Sequence, residues 1–207
     1  SYQDDARKHL DRAVEYHEEL FGAKPNGLWP SEGSVSQDVL GAIADTGIKW
    51  IATDEEILGH SMNHFVHRDD HGNVNRPEML YRPWKVGSDH QPLDIIFRDH
   101  GLSDLIGFHY QRNEPKWAAE DLLAKVKGIG RAVAEHDPEQ NAFVPIVLDG
   151  ENCWEYYTDG GIGFLRNLYQ QAAADPMIAP LTVSEHLKKY PTTNKIPRLF
   201  AGSWINH

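Results

Sequence analysis

Four acidic residues follow directly on four predicted strands, and this pattern is the strongest chemical signal in the chain. Glu32 follows GLWPS, Asp54 follows IKWIAT, Asp99 follows DIIFR and Asp149 follows FVPIVL. A single acidic residue at a strand end is typical of a turn or a helix cap. Four of them favour a shared acidic cleft, because active sites gather at the carboxyl ends of parallel strands.

The elements that must position these carboxylates alternate between strands and helices. Apolar residues at helical spacing predict helices over residues 4–21, 34–46, 115–135, 161–173 and 184–189. Short apolar runs predict strands over residues 26–30, 48–53, 94–99 and 142–149. Residues 59–92 show little periodicity and are interpreted as an irregular insertion. This order predicts the α/β class, with parallel strands covered by helices.

Several segments resemble sequence regions of glycoside hydrolase family 57. FRDHGLSDLIGF (97–108) resembles the fourth region of that family, and DGENCWEYY (149–157) resembles the fifth. GLWPSEG (27–33) is similar to the third region, and WIATDEEIL (50–58) and GSWIN (202–206) are similar to further stretches. The resemblance implies an incomplete seven-stranded (β/α) barrel with parallel strands. No counterpart of the first two regions precedes residue 27, so we expect residues 1–207 to be a single domain that is a fragment of a larger barrel, or else a shortened homologue.

The same resemblance implies a function and its residues. Family members act on α-glucans, and hydrolysis, transglycosylation and branching all stay open. Glu32 would be the nucleophile, and an Asp of the fourth region would be the acid/base. We choose Asp99 over Asp104 because a rigid strand ends there. The residues expected to contact the glucan are Trp29, Asp54, Asp104, Asp149, Glu151 and Trp154.

The proposed pair of carboxylates carries a geometric requirement. Retention of anomeric configuration needs two carboxyl groups about 5–5.5 Å apart, so we expect those of Glu32 and Asp99 within roughly 5–7 Å. Strand-end carboxylates that face a cleft should make few packing contacts. Glu32→Ala and Asp99→Ala are therefore expected to abolish turnover and leave folding nearly intact. Tryptophan near such a pair can stack on sugar rings, although tryptophan also fills cores.

The spacing of the histidines suggests a zinc site as an alternative. His60, His64, His67 and His71 recur three to four residues apart, a spacing that can bind zinc on a helix. HRDDHGN (67–73) is rich in turn residues, however, so we predict a polar loop, no metal and no cofactor. The readings that compete with a glycosidase are a metal-dependent carbohydrate deacetylase or hydrolase on a similar barrel, and a non-catalytic glucan-binding domain.

Composition narrows the class of partner. The chain has 31 acidic and 20 basic residues and a net charge of −11, which disfavours nucleic acid and is compatible with a neutral glucan. No apolar run approaches the ~20 residues of a membrane span. Cys153 is the only cysteine, which excludes an internal disulfide and mildly favours a cytoplasmic location. An incomplete sheet leaves strand edges open, so we also expect self-association of the fragment or poor solubility, unless helices cover the edge.

Overall fold

The computed structural model describes residues 2–150 and 154–205. Within it the chain forms two compact units. The first unit comprises Ser1–Val66, Pro83–Phe97 and Ser184–His207. The second unit comprises His67–Arg82 and Arg98–Val183. No helix in the described part of the chain combines the length and the apolarity needed to cross a membrane.

The first unit is built on a four-stranded sheet. Its strands are β1 (Gly27–Leu28), β2 (Trp50–Asp54), β3 (Trp84–Gly87) and β4 (Pro92–Arg98). They lie in the order β1-β2-β4-β3, with β1 parallel to β2 and β3 antiparallel to β4. The central strand β2 is buried at every residue except Trp50, and β4 is buried at Leu93 and over residues 95–97, as expected for strands with both faces covered. The sheet is mostly parallel and does not close into a barrel, which confirms the predicted α/β class.

The edge of this sheet at β3 is covered by the chain itself. The Lys85 N–H donates to the Asn194 carbonyl at 2.7 Å, and the Ile196 N–H donates to the Lys85 carbonyl at 2.9 Å. These two bonds form a single parallel bridge between Lys85 and Lys195. The outward-facing backbone groups of Lys85 are therefore paired, which is one way in which proteins protect an edge strand.

Helices flank the sheet within the first unit. They are α1 (Tyr2–Phe21), α2 (Leu40–Asp45), α3 (Glu55–Met62) and most of α8 (Val183–Lys189). Short 3-10 turns cover Ser31–Gly33 and Gln37–Val39. The helix predicted over residues 34–46 is thus split into a 3-10 turn and the shorter α2. Leu40 and Ile43 are the buried residues of α2, whereas Val14 is the buried residue of the amphipathic α1.

The second unit is helical. Its helices are α4 (Pro77–Leu80), α5 (His100–Asp104), α6 (Pro115–His136) and α7 (Ile162–Ala174). A π-helical turn, Leu105–His109, and a 3-10 turn, Tyr110–Arg112, continue α5. The buried core that these elements share consists of Leu102, Ile106, Tyr110, Ala118, Ala119, Leu122, Tyr157 and Phe164. Glu114 caps α6, since its carboxylate accepts the N–H groups of Lys116 and Trp117 at 3.0 and 2.8 Å.

The predicted strand over residues 142–149 is wrong. These residues form no strand, and their backbone is irregular up to Asp149. Pro145 cannot donate to a ladder, and the Phe143 N–H donates instead to the Tyr81 carbonyl at 2.9 Å. Val144 and Leu148 pack against the apolar core of the second unit. The apolar run is thus explained by contact with helices.

Residues 59–92, which were interpreted as an irregular insertion, contain regular elements. The segment contains α4 and β3, each only four residues long. Elements of this length are too short to show a period. The side chains of β3 alternate between buried and half-buried, and the buried ones are Trp84 and Val86.

Candidate active site

Glu32 follows β1 in a backbone conformation that is uncommon for any residue except glycine. Its dihedral angles are φ 56° and ψ 21°, in the left-handed region, and Gly33 after it has φ 63°. For an L-residue with a side chain this conformation costs about 1–2 kcal/mol. Such residues persist where the surroundings hold them, and they cluster at functional sites.

Four hydrogen bonds hold the turn around Glu32, and one of them is donated by the Ser34 N–H to the Ser31 carbonyl at 3.0 Å. The Trp204 N–H donates to the Glu32 carbonyl at 3.1 Å, and the Gly33 N–H donates to the Pro30 carbonyl at 2.9 Å. The hydroxyl of Thr53, which is fully buried on β2, donates to the Gly33 carbonyl at 2.6 Å. Glu32 itself is exposed. The turn therefore fixes the backbone of Glu32 beside the carboxyl end of β2 and leaves its side chain accessible.

Two tryptophans accompany this turn. The ring centroids of Trp29 and Trp204 lie 5.1 Å apart in an edge-on arrangement. Trp29 Nε1 is buried and has no hydrogen-bond partner among the described residues. A buried donor without a partner is unusual and is a place where a ligand oxygen could bind. Trp204 was not predicted as a site residue, although the resemblance of GSWIN was a signal that could have found it.

Asp54 is completely buried and caps α3. Its Oδ1 accepts the Glu56 N–H at 3.3 Å. Glu55, the next residue, is 3% exposed. Asp54 therefore has the capping role that a single strand-end aspartate typically has.

Asp99, in the second unit, accepts hydrogen bonds on both of its carboxylate oxygens. It is 2% exposed and caps α5, with Oδ1 accepting the Leu102 N–H at 2.8 Å. Arg68 Nη2 donates to the same Oδ1 at 3.0 Å, and the Tyr81 hydroxyl donates to Oδ2 at 2.5 Å. The expectation that Asp99 makes few contacts is therefore wrong. The reason is that its position combines a strand end with a helix start, so that backbone and side-chain donors both converge on it.

Glycine makes this arrangement possible at one position. A Cβ at Gly101 would lie 3.1 Å from Arg68 Nε and 3.4 Å from Asp99 Oδ1. The first distance is tighter than ordinary van der Waals contact. Gly101 thus leaves the space that the guanidinium occupies beside the carboxylate.

Asp99 is shielded from bulk water but lines a cavity of about 550 Å³ in the second unit. Arg68 and Tyr81 line it as well, and Asp121 and Lys125 contribute from α6. The volume lies in the range of small-molecule sites. The Tyr110 hydroxyl donates to Asp121 at 2.6 Å, and burial together with this carboxylate raises the pKa of Tyr110. A ligand in the cavity would meet Asp99 among groups that are already hydrogen bonded.

Asp104 is more accessible than Asp99. Its side chain is 35% exposed, with Arg98 Nη2 3.3 Å from Oδ1 and His100 Nε2 3.3 Å from Oδ2. Asp149 is half-buried at the end of the irregular segment, and Glu151 lies outside the described residues.

Trp154 belongs to the apolar core of the second unit. Its ring centroid lies 5.4 Å from that of Tyr157 and 6.4 Å from that of Phe164. A Cβ at Gly161 would lie 2.4 Å from Trp154 Cε3, so that glycine is needed for this packing. These contacts fit the alternative that tryptophan fills a core.

Arg68 and Tyr81 were not predicted as site residues. Both come from residues 59–92, which local patterns describe poorly. The sequence offered only an indirect reason to expect them, since a buried carboxylate requires hydrogen-bond donors from elsewhere in the chain. Among residues 2–150 and 154–205, no three or more His, Cys, Asp or Glu side chains lie close enough together to hold a metal ion. The prediction that no zinc binds stays a prediction.

Comparison with known proteins adds a family and a fold. The sequence model of glycosyl hydrolase family 57 matches residues 1–197 of the chain. No curated protein sequence matches it. Among solved structures, the chain superposes on the α-amylase AmyC from Thermotoga maritima with a TM-score of 0.74 and 13% identity, over 98% of this chain and 48% of that one.

Two further structures are similar. The branching enzyme from Pyrococcus horikoshii gives a TM-score of 0.74 at 13% identity, over 99% of this chain and 44% of that one. The 4-alpha-glucanotransferase from Thermococcus litoralis gives 0.69 at 20% identity, over 98% of this chain and 28% of that one. The chain thus spans less than half of each of these enzymes, and the similarity at these identities establishes the fold.

Proposed function

Because this chain belongs to glycosyl hydrolase family 57, we propose that it carries the catalytic carboxylates of a retaining enzyme that hydrolyses or transfers α-glucans. The three similar structures support an α-glucan as the substrate, since they are named as an α-amylase, a branching enzyme and a 4-alpha-glucanotransferase. In this proposal Glu32 is the nucleophile and Asp99 is the acid/base.

The left-handed backbone of Glu32 is the observation that carries the proposal. A nucleophile must meet the anomeric carbon at a fixed distance and angle, and a misplacement of about 1 Å can cost a hundredfold in rate. Four hydrogen bonds hold the turn of Glu32, while the residue itself is exposed. A strained turn with an accessible carboxylate fits this task better than it fits a solvated surface loop, where the strain would relax.

The reaction then takes two steps. In the first, Asp99 gives its proton to the leaving glycosidic oxygen while the Glu32 carboxylate attacks the anomeric carbon. In the second, Asp99 takes a proton from water or from an acceptor sugar hydroxyl, whose oxygen displaces Glu32 and restores the original configuration. Water as the acceptor gives hydrolysis, and a sugar gives transfer.

Arg68 and Tyr81 support Asp99 as positioning residues. Their hydrogen bonds fix the plane of the carboxyl group, and the cavity gives a leaving group access to it. Asp104 is the competing acid/base, because it belongs to the same motif and is more exposed.

The test compares Glu32→Ala, Asp99→Ala and Asp104→Ala on maltooligosaccharides and on an aryl glycoside with an acidic phenol. Asp99→Ala should lower turnover of the oligosaccharide by about 10²–10⁴. It should affect kcat/KM of the aryl glycoside much less, because an acidic phenol leaves without protonation in the first step. Glu32→Ala should lose both activities, and added azide should restore cleavage with an inverted glycosyl azide as product.

Other results would redirect the proposal. If Asp104→Ala instead shows the difference between the two substrates, the acid/base is Asp104. If Glu32→Ala keeps near-wild-type turnover, Glu32 is not the nucleophile. The deacetylase alternative would be favoured if the protein releases acetate from an acetylated sugar, if a chelator abolishes this activity, and if added zinc restores it.

A further inference from the structure

A second pocket lies in the first unit, close in sequence to the Glu32 turn. Its volume is about 490 Å³. Three segments form it, namely the 3-10 turn before α2, the end of α3 and a stretch near Phe200. The lining residues are Ser36, Gln37, Asp38, His60, Ser61, Asn63, Arg198, Leu199, Phe200 and Ala201.

Two chain segments connect this pocket to Glu32. Val35 and Gly202 exchange backbone hydrogen bonds of 2.9 and 3.0 Å as an antiparallel bridge. On one side of the bridge the Trp204 N–H donates to the Glu32 carbonyl, and on the other the segments reach Ser36 and Ala201. The four residues from Glu32 to Ser36 span at most about 14 Å. A bound chain of a few sugar units could therefore reach both places.

The walls of the pocket are held in place by side-chain bonds to the backbone. Gln37 Oε1 accepts the Leu199 N–H at 3.0 Å. Ser61 Oγ accepts the Phe200 N–H at 2.9 Å and donates to the Ile57 carbonyl at 2.6 Å. The pocket thus exists before a ligand arrives, and binding does not have to order its walls.

One wall is aromatic. The imidazole of His60 stacks on the Phe200 ring with centroids 4.5 Å apart and an interplanar angle of 18°. Phe65 meets His60 edge-on at 4.9 Å. This stack fixes the orientation of the Phe200 ring. Flat rings of this kind offer a surface to the C–H face of a sugar.

The polar groups of the pocket carry opposite charges. Asp38 and Arg198 are both exposed, and neither forms an ion pair with another described residue. Asn63 adds an amide, from a residue in the left-handed region with φ 53°. The set supplies acceptors and donors but no net charge, which suits a neutral polyhydroxyl ligand better than an anion or a cation.

We propose that this pocket is an outer subsite, which binds sugar units of the α-glucan at some distance from the bond that reacts. The inference rests on the proposed function, because it takes the glucan as the ligand. Asp38, Asn63 and Arg198 hydrogen-bond the sugar hydroxyls, and Phe200 faces a sugar ring. The subsite makes affinity depend on the length of the glucan.

The test measures binding and turnover separately. The double variant Asp38→Ala/Arg198→Ala is compared with Asp11→Ala/Lys188→Ala, a matched pair of exposed charges outside the pocket. Calorimetry with maltoheptaose and maltotriose is carried out in a Glu32→Gln background, so that no turnover interferes. We expect the pocket variant to bind maltoheptaose about tenfold or more weakly, the loss of one hydrogen bond to a charged group. Maltotriose binding and the control variant should be unchanged.

The outcomes separate the two proposals. If maltoheptaose binds equally well to the pocket variant and to the control, the subsite is wrong and the catalytic proposal stands. If no glucan binds to any form and the wild type shows no turnover, the catalytic proposal itself fails. Should the double variant misfold, amide NMR shifts of the Glu32→Gln single variant decide the question. Shifts at Ser36 and Ala201 on addition of maltoheptaose support the subsite, and their absence overturns it.

Discussion

Arg68 Nη2 lies 3.0 Å from Asp99 Oδ1, and this ion pair joins the polar segment that begins the second unit to the motif that carries the proposed acid/base. The Asp99 side chain is 3% exposed and that of Arg68 is 24% exposed. A carboxylate this deeply buried needs its donors, because leaving a charged group unpaired in the interior is costly. Arg68 is therefore a residue whose loss should be felt in both stability and turnover.

Arg68→Gln should lower the free energy of unfolding by about 1–3 kcal/mol, the range for a hydrogen bond to a charged group. Urea unfolding measures this. The matched control is Arg12→Gln, which removes an exposed pair with Glu15 at 3.5 Å on α1 and should have a small effect. Equal losses in the two variants would contradict the structural role given to Arg68.

Tyr81→Phe removes only the hydroxyl that donates to Asp99 Oδ2. Tyr81 is 1% exposed, so water cannot easily replace this bond. We expect kcat/KM to fall more for a maltooligosaccharide than for an aryl glycoside with an acidic phenol, because only the sugar leaving group needs a proton from a correctly placed Asp99 in the first step. A uniform fall on both substrates would mean that Tyr81 acts on the fold alone.

The strained backbone at Glu32 predicts that substitution by glycine destabilises the protein less than substitution by alanine, which is the reverse of the usual order in a helix. Glu32→Gly should be more stable than Glu32→Ala by about 1 kcal/mol, because glycine adopts positive φ without a steric cost. Both variants should be inactive. At Glu15, in the middle of the exposed face of α1, the order should be the usual one, with alanine more stable than glycine by about 1 kcal/mol. Thermal unfolding of the four variants gives both differences, and the same order at the two positions would show that Glu32 carries no strain.

Thr53→Val tests the bond that braces the Glu32 turn. The Thr53 hydroxyl donates to the Gly33 carbonyl at 2.6 Å, and its loss should cost about 1–2 kcal/mol and lower kcat. Thr46→Val is the matched control, because the Thr46 hydroxyl donates to the Ile43 carbonyl at 2.7 Å at the end of α2. The control should lose stability and keep its kcat. A kcat that falls equally in both variants would remove Thr53 from the positioning of Glu32.

His186 should make stability depend on pH. It lies buried on α8, where burial, and to a smaller extent Lys189, lower its pKa below the ordinary 6.5. Below about pH 6.5 the unfolded chain binds the proton more readily than the folded one, so stability should fall as the pH drops towards the lower folded pKa. Well above pH 6.5 the histidine is neutral in both states, so its effect on stability should vanish. His186→Gln should flatten the dependence of Tm between pH 7.5 and 5.5, while His136→Gln, on an exposed residue, should not.

The elements that the sequence predicted correctly have a strong local pattern of apolar residues, either a continuous apolar run or an amphipathic helical period. The apolar run at residues 48–53 and the long amphipathic stretch at 115–135 appear as β2 and α6 within a few residues. The run at 142–149 misled because a segment that packs against helices is as apolar as a buried strand. The left-handed turn at Glu32 had only a weak local signal in the flanking Pro30 and Gly33.

The partners of Asp99 could not be read from the chain. Tyr81 lies 18 residues away from Asp99 and Arg68 lies 31 away. A side-chain contact over such distances leaves no periodic trace, and it is decided by how the elements fold back on one another. The resemblance made Glu32 and Asp99 candidates, whereas the hydrogen-bond donors of Asp99 emerged only from the structure.

The bridge between Lys85 and Lys195 has a consequence for the nascent chain during translation. Strand β3 leaves the ribosome about 110 residues before the segment that covers its edge. At a synthesis rate of about 5–20 residues per second, the edge stays bare for roughly 5–20 s. During that interval the nascent chain offers unpaired backbone groups to neighbouring chains on the same polysome. Slower translation after the codon for Gly87 should therefore increase aggregation during synthesis, whereas refolding of the released chain should be unaffected.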